Sequence, residues 1–218
     1  MIKDLDDTIF EMLQKEAASG SELESATISF AVPDDNWRST GKDLSLNVYL
    51  YDIRENRMFR SNEMIREYTP SGEIMIKKAP PRVDCSFIIT AWDKSKPYNP
   101  NNIVMEHRLL SQVLEVLLRN PVIPDSYLSG LLVGQEPEIR ISTSKGEGVP
   151  NPVEFWNALG TPFRPSIDCT FTLSLELLSR PQTSTVVTSQ VTRFSQKDKP
   201  ETQSEIINIG GKIINSIY

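Results

Sequence analysis

Residues 167–177 read IDCTFTLSLEL, and their apolar and polar side chains alternate over eleven positions. This alternation predicts a strand with one buried face. Residues 83–91, VDCSFIITA, and 44–51, LSLNVYLY, alternate in the same way and predict two further strands. The similar segments 83–87 and 167–171 fit an internal repeat, or simply two strands under the same constraints, and no solenoid period is present.

Helical spacing of apolar residues surrounds these strands. It predicts a helix from Ile2 to about Ser19, a long helix at 103–119 ended by prolines, and a compact helix from Pro152 to Gly160. Shorter strands are predicted at 26–32 and 138–142, whereas 54–80 is polar with a turn at 70–72. The order predicts an α+β fold, a mainly antiparallel or mixed sheet with helices packed on one face.

The charge divides the chain into two parts. The 218 residues contain 23 Lys plus Arg and 29 Asp plus Glu, a formal charge of −6. Residues 1–178 carry −8 and residues 179–218 carry +2, and 15 of those last 40 residues are Ser, Thr or Gln. We therefore expect a folded domain at 1–178 and an extended C-terminal arm at 179–218. The acidic balance argues against nucleic acid as a partner.

Sequence features of other protein classes are weak. The longest apolar runs are far shorter than a membrane span needs, and the acidic start of the chain does not resemble a signal peptide, so we expect assembly in the cytoplasm. His107 is the only histidine and is expected on the helix surface. Cys85 and Cys169 are expected as buried thiols, with a bridge between adjacent strands as the alternative. Asp84 and Asp168 are expected on a solvated strand face, so no catalytic, metal or cofactor site is predicted.

An ordered set of segments resembles a known family. The segments read MIKDLDDTI (1–9), LNVYLYDIREN (46–56), RVDC (82–85) with TAW (90–92), EHRLL (106–110), and FWNALG (155–160) with RPS (164–166). Together they resemble the cap, or tail-terminator, proteins of phage-tail-like contractile injection systems of the Photorhabdus virulence cassette and antifeeding prophage type. The resemblance covers about residues 1–178.

The resemblance implies a phage-tail-terminator-like fold without enzymatic activity or cofactor. It implies a homo-hexameric ring that ends the inner tube and anchors the last sheath layer, with tube and sheath proteins as partners. The particle would be released or membrane-associated. An adaptor or tail-completion protein joining other tail components is the alternative, and an enzyme acting through Asp168 or Cys169 is a distant third.

The predicted contact residues lie in loops and in the arm. The arm is β-prone at 185–188, and its apolar end fits docking on a sheath or neighbouring subunit by strand addition, with a disordered tail as the alternative. The candidate protein-interface residues are Trp37, Tyr98, Val186, Val187, Val191, Arg193, Phe194, Ile206, Ile207 and Ile209.

Overall fold

The computed structural model describes residues 1–40, 44–68, 73–95, 100–143, 149, 151–176, 182–185, 189–196, 199–208 and 213–214. The chain divides into two compact units, one of Met1–Arg60 with Pro80–Glu176 and one of Ser61–Ala79 with Leu177–Tyr218. The boundary predicted from composition, 1–178 against 179–218, stays a prediction. The two compact units differ from it because Ser61–Ala79 joins the C-terminal part.

The described elements are numbered along the chain. The α-helices are α1 (Ile2–Glu16), α2 (Glu22–Ser25), α3 (Asp35–Ser39), α4 (Pro100–Arg119) and α5 (Pro152–Ala158), with 3₁₀ turns at Arg57–Phe59, Asp125–Tyr127 and Gly130–Leu132. The strands are β1 (Thr27–Ser29), β2 (Leu44–Glu55), β3 (Met64–Tyr68), β4 (Glu73–Lys78), β5 (Arg82–Asp93), β6 (Arg140–Thr143), β7 (Ile167–Ser174), β8 (Gln182–Thr185), β9 (Ser189–Gln196), β10 (Lys199–Asn208) and β11 (Ile213–Ile214).

The first unit contains a five-stranded sheet with the order β1-β2-β5-β7-β6. β1 runs parallel to β2, and all the other pairs are antiparallel, so the sheet is mixed. The long strand β5 lies in the middle and pairs along its length with β2 and over Arg82–Ile89 with β7. The mixed sheet with its helices confirms the predicted α+β class.

One face of this sheet carries the main hydrophobic core, under α1 and α4. The alternate residues of β5 and β7 that point to this face are buried with the apolar stripes of both helices. Phe87 and Phe171 meet edge to face at its centre, with ring centroids 5.5 Å apart. The long helices therefore pack on one face, as the sequence predicts.

The opposite face has a second, smaller cluster that the sequence does not indicate. Its buried members are Ile88, Trp92 and Trp156, and Trp37 and Phe155 pack against them. Ile88 and Trp92 point away from the main core because successive side chains of a strand alternate between faces. α5 supplies Trp156, so this short helix lies on the face opposite α1 and α4, and β5 is buried on both faces from Phe87 to Trp92.

Several element boundaries differ from the sequence prediction. α1 ends at Glu16, and α2 follows it as a separate turn whose N-cap Ser21 accepts a hydrogen bond from the backbone of Glu24. A short helix, α3, replaces the loop predicted after Pro33, because the Asp34 side chain caps it at the Trp37 amide. The stretch at 54–80, interpreted as polar connection, contains the end of β2 and the hairpin β3–β4.

The second unit contains two three-stranded antiparallel sheets, with the orders β3-β4-β8 and β9-β10-β11. In the first of them β8 pairs with β4, from Glu73 opposite Thr185 to Ile76 opposite Gln182. Part of the predicted arm therefore adds a strand to a sheet of its own chain. The turn predicted at 70–72 lies outside the described residues.

The Phe87–Phe171 contact generates the first prediction. Replacing Phe171, which is fully buried, by Ala should lower the free energy of unfolding by about 3–5 kcal/mol, because the core loses a ring and gains a cavity. The matched control is Phe163→Ala, since Phe163 is 67% exposed and should change that energy by less than about 0.5 kcal/mol. Urea unfolding followed by tryptophan fluorescence measures both, and equal effects would contradict the described core.

Candidate interaction surface

A buried ion pair joins α4 to the segment that leads into β7. The Oε2 atom of Glu106 lies 2.6 Å from Nη2 of Arg164. The Glu106 side chain is 10% exposed and the Arg164 side chain is 17% exposed. The other carboxylate oxygen accepts a hydrogen bond from the Asp93 amide at 2.9 Å, and Arg164 Nη2 also donates to the Ala91 carbonyl oxygen at 2.6 Å. The pair therefore connects α4, the end of β5 and residues 161–166.

Trp92 connects this ion pair to the second cluster. The Arg164 guanidinium lies 3.5 Å from the centroid of the Trp92 ring, a cation–π geometry. The Trp92 indole donates to Thr90 Oγ1 at 2.8 Å, and Trp37 meets the Trp92 ring edge to face at 5.8 Å. Charged and aromatic groups from four separate parts of the chain, at Trp37, Trp92, Glu106 and Arg164, thus form one packed arrangement.

Trp37, which we predict as a contact residue in a loop, lies instead in α3 and is half-buried. Its indole donates to Ser29 Oγ at 2.9 Å, and Lys94 Nζ lies 3.5 Å from its ring centroid. Lys94 also donates to the carbonyl oxygens of Trp37 and Thr40, and burial lowers the pKa of its ammonium group. These contacts give Trp37 a packing role within its own chain.

The other predicted contact residues lie in the C-terminal part of the chain or outside the described residues. Tyr98, Val186, Val187 and Ile209 are outside them. β9 contains Val191, Arg193 and Phe194, and β10 contains Ile206 and Ile207. The backbone register places Val191 opposite Ile206 and Arg193 opposite Ser204. The structure thus brings two of the predicted residues together as a cross-strand pair, and their role in binding stays a prediction.

The two carboxylates considered for catalysis, Asp84 and Asp168, lie apart, and each accepts hydrogen bonds from its own neighbours. Asp168 accepts a hydrogen bond from the Tyr51 hydroxyl at 2.6 Å, and burial, together with this hydrogen bond, raises the pKa of Tyr51. Asp84 accepts from Thr172 and Asn56, at 2.7 and 2.9 Å. The register places Asp84 opposite Thr172 and Asp168 opposite Ile88, so the two carboxylates do not form a facing pair.

The remaining titratable candidates also lie apart from one another. His107 is exposed on α4, where it lines a shallow groove with Val104, Arg108, Ser111 and Gln112. Within the described ranges, no group of three or more His, Cys, Asp or Glu side chains could hold a metal ion. The helices in those ranges are all too short or too polar to cross a membrane.

Several exposed apolar side chains stand out that we did not select from the sequence. Met58 and Phe59 follow β2 in the 3₁₀ turn Arg57–Phe59, which is capped by Asn56, whose Oδ1 accepts hydrogen bonds from both of their amides. Ile53 at the end of β2 and Met64 at the start of β3 are also exposed. Three hydrophobic residues within seven positions of a polar segment (Ile53, Met58 and Phe59) are the signal that could have identified this region.

The ion pair generates the second prediction. Glu106→Ala should lower the free energy of unfolding by about 3–5 kcal/mol, because it leaves the Arg164 charge in a largely buried position without its carboxylate. Glu115→Ala is the matched control on the same helix, since Glu115 is 67% exposed in its pair with Arg119 and should contribute less than about 1 kcal/mol. Urea unfolding at fixed pH measures the two, and a loss for Glu106→Ala no larger than the control's would show that the pair does not stabilise the fold.

The thiols generate the third prediction. Cys85 and Cys169 are free and buried, so the alternative of a bridge between strands is not what the structure shows. Burial raises the pKa of Cys85 from 9.0 to about 11 and raises that of Cys169 as well. Because the folded state favours the protonated thiols, their contribution to stability should be complete below pH 9 and decline as the pH rises from there toward 11.

Urea unfolding at a series of pH values between 8 and 11 measures this decline in stability, and titration with Ellman's reagent at pH 8 tests the burial of the thiols. Neither thiol should react in the folded protein, and both should react in 8 M urea. Rapid reaction of one thiol under native conditions would contradict the described burial.

Two solved structures have a fold similar to that of this chain. The fold is similar to the sheath/tube terminator of an extracellular contractile injection system, PVC, in the extended state, with a TM-score of 0.64 and 23% identity over 93% of this chain and 66% of that one. It is also similar to the tube-terminating cap of the anti-feeding prophage, with a TM-score of 0.64 and 23% identity over 88% and 61%. This chain therefore spans less than two thirds of the length of either structure.

A search of the curated proteins finds no match. The Pvc16 N-terminal domain family matches residues 4–190, most of the sequence and all of the described sheet of the first unit. Those residues include all the segments that carry the family resemblance except the first three positions of 1–9, and among them are the segments that contribute Trp92, Glu106 and Arg164 to the buried arrangement. The chain belongs to the Pvc16 N-terminal domain family.

Proposed function

We propose that this protein is the cap, or tail terminator, of a contractile injection system. The observation that carries the proposal is that one continuous family match, residues 4–190, coincides with a fold shared with two terminators of such systems. In this function the chain ends the inner tube and anchors the last sheath layer. Its partners are tube protein, sheath protein and copies of itself, and it has no enzymatic activity.

The proposed assembly is a six-fold ring on the last layer of the tube, formed in the bacterial cytoplasm. A closed ring of identical subunits needs a head-to-tail contact in which one surface meets a different surface of the next subunit. The first unit supplies a rigid body for this purpose, because its central strand is buried on both faces. A rigid subunit keeps the rotation between neighbours constant, and closure of the ring depends on that rotation.

The C-terminal arm is the proposed attachment to sheath or to a neighbouring subunit. Its backbone forms strands, and β9 and β10 place Val191 and Ile206 opposite each other. Paired strands rich in β-prone residues suit docking on another sheet better than a structureless tail does. Arg193 and the other basic residues of this part are complementary to an acidic partner surface.

The proposal generates the fourth prediction. Co-expression of the chain with tube and sheath proteins should give sheathed particles with the chain at one end, whereas deletion of residues 179–218 should give tubes without an anchored sheath. A milder variant is the double substitution Val191→Ser and Ile206→Ser, which keeps the arm and changes only two of its predicted contact residues. It should weaken sheath anchoring without abolishing it.

Electron microscopy of negatively stained particles gives the fraction that is sheathed, and light scattering gives the mass of the free chain. Thermal unfolding checks that each variant contains a folded first unit. Normal sheathed particles from the deletion variant would refute the arm's role. A chain that never sediments with tube or sheath would refute the cap function, and a chain that binds tube only as a monomer would support an adaptor instead.

A further inference from the structure

Most sheet edges of the first unit are short or covered. The outer edge of β6 is covered by residues 121–123, because the Ile141 amide donates to the Pro121 carbonyl oxygen at 2.8 Å and the Ile123 amide donates to that of Ile139 at 3.0 Å. The opposite edge strand, β1, is only three residues long. Short or covered edges protect a sheet against unwanted pairing with other chains.

β2 is different, because most of its length has no pairing partner among the described residues on the side away from β5. β1 pairs with β2 only at Ser45–Asn47, while β5 pairs with β2 as far as Glu55. The Asn56 amide donates to the Arg82 carbonyl oxygen at 2.8 Å, so Asn56 directs its backbone groups toward β5. By the alternation of a strand, Ile53 and Glu55 direct theirs to the opposite side, where no described segment pairs with them.

The outer edge of β3 in the second unit likewise has no pairing partner among the described residues. The Ala79 amide donates to the Glu63 carbonyl oxygen at 3.1 Å, so Glu63 and then Ile65 direct their backbone groups toward β4. Met64 and Arg66 therefore direct theirs outward. Within the described ranges β3 pairs with β4 and with no other strand.

The side chains around these edges indicate what binds there. Asp52 pairs with Arg54 at 2.6 Å, and Glu55 pairs with Arg60 at 3.6 Å, so the charges along the β2 edge neutralise one another. Ile53 is 48% exposed, Met58 93% and Met64 55%. A neutral edge with exposed apolar neighbours favours a strand of the same character over a strongly charged partner.

We propose that β3 of one copy pairs with the open β2 edge of a second copy, and that this strand pairing is the contact which closes the ring. The inference rests on the proposed cap function and names the self-contact that the function needs. The two edges are different surfaces of one chain, so each copy can offer β3 to one neighbour and β2 to the other. This is the head-to-tail geometry of a cyclic assembly.

The experiment blocks each edge separately with proline. Glu55→Pro and Arg66→Pro each remove an outward amide that donates no described hydrogen bond within the chain, so the subunit should stay folded. Each variant alone, mixed with tube protein, should fail to form rings. Glu55→Thr and Arg66→Thr are the matched controls, because they lose the same side chains but keep the amide, and they should form rings.

An equimolar mixture of the two proline variants gives the decisive result. The intact β2 edge of Arg66→Pro can accept the intact β3 of Glu55→Pro, but neither end of that pair can extend, so the mixture should stop at a 1:1 dimer. Native mass spectrometry measures the masses, and urea unfolding confirms that each variant is folded. If proline unfolds a variant, Ile53→Lys and Met64→Lys replace it, and the mixture is again expected to stop at a dimer.

The outcomes separate this inference from the function on which it rests. Rings from both edge variants would overturn the strand contact and leave the cap function intact. Monomers in the mixture would also overturn the contact. If the unmodified chain forms rings through this contact yet never sediments with tube or sheath, the cap function fails and the inferred contact stands.

Discussion

The buried Glu106–Arg164 pair is the interaction on which the rest of the first unit depends. A carboxylate inside a protein is destabilising unless its oxygens are bonded, and here the Asp93 amide and the Arg164 guanidinium bind one oxygen each. Because Arg164 also binds the Ala91 carbonyl oxygen and stacks on Trp92, removal of either charge affects both faces of the sheet. α4, which forms the main core, is thereby connected to the cluster on the opposite face.

The sheet face opposite α1 and α4 is largely apolar at one end of β5 and polar at the other. Where Arg164 and α5 approach, β5 directs Ile88, Trp92 and, between them, the buried Thr90 to this face. Farther along the same strands the residues pointing to this face are polar, and Ser86 lies 3.1 Å from Thr170, oxygen to oxygen. Hydroxyl groups that bond one another across strands tolerate partial exposure, whereas Trp92 needs a cover. The short helix α5 is therefore long enough to cover this face, because only the apolar half of the face needs a cover.

The sequence predicts the strands of the first unit well because their pattern is local. Alternation over 167–174 and 83–91 is enough to identify β7 and β5, and the apolar stripe identifies α4. Glu106 could not be identified in this way, because a glutamate on a helix is normally solvated and its partner lies 58 positions away. Its only signal was membership in one of the segments that carry the family resemblance.

Local sequence patterns are equally unable to place the predicted contact residues. Trp37 lies among turn-forming residues, which predict an exposed loop, but Trp92 and Lys94, far away in sequence, pack against it. The hairpin β3–β4 was missed because charged residues interrupt its alternation, as in MIREY at 64–68. Burial and strand pairing are tertiary properties, and local patterns report them only where one face is uniformly apolar.

The distribution of sheet edges among the described residues fits the ring subunit that we propose. A monomer gains by covering every edge, and this chain does so at β6 with the backbone of residues 121–123. An edge left open at both β2 and β3 would be a liability in isolation, since each exposes amides to any extended chain. In a closed ring every such edge finds its counterpart, so no open edge of this kind remains. A filament would always leave one of each at its ends, and closure is therefore what makes two unlike open edges compatible with a stable particle.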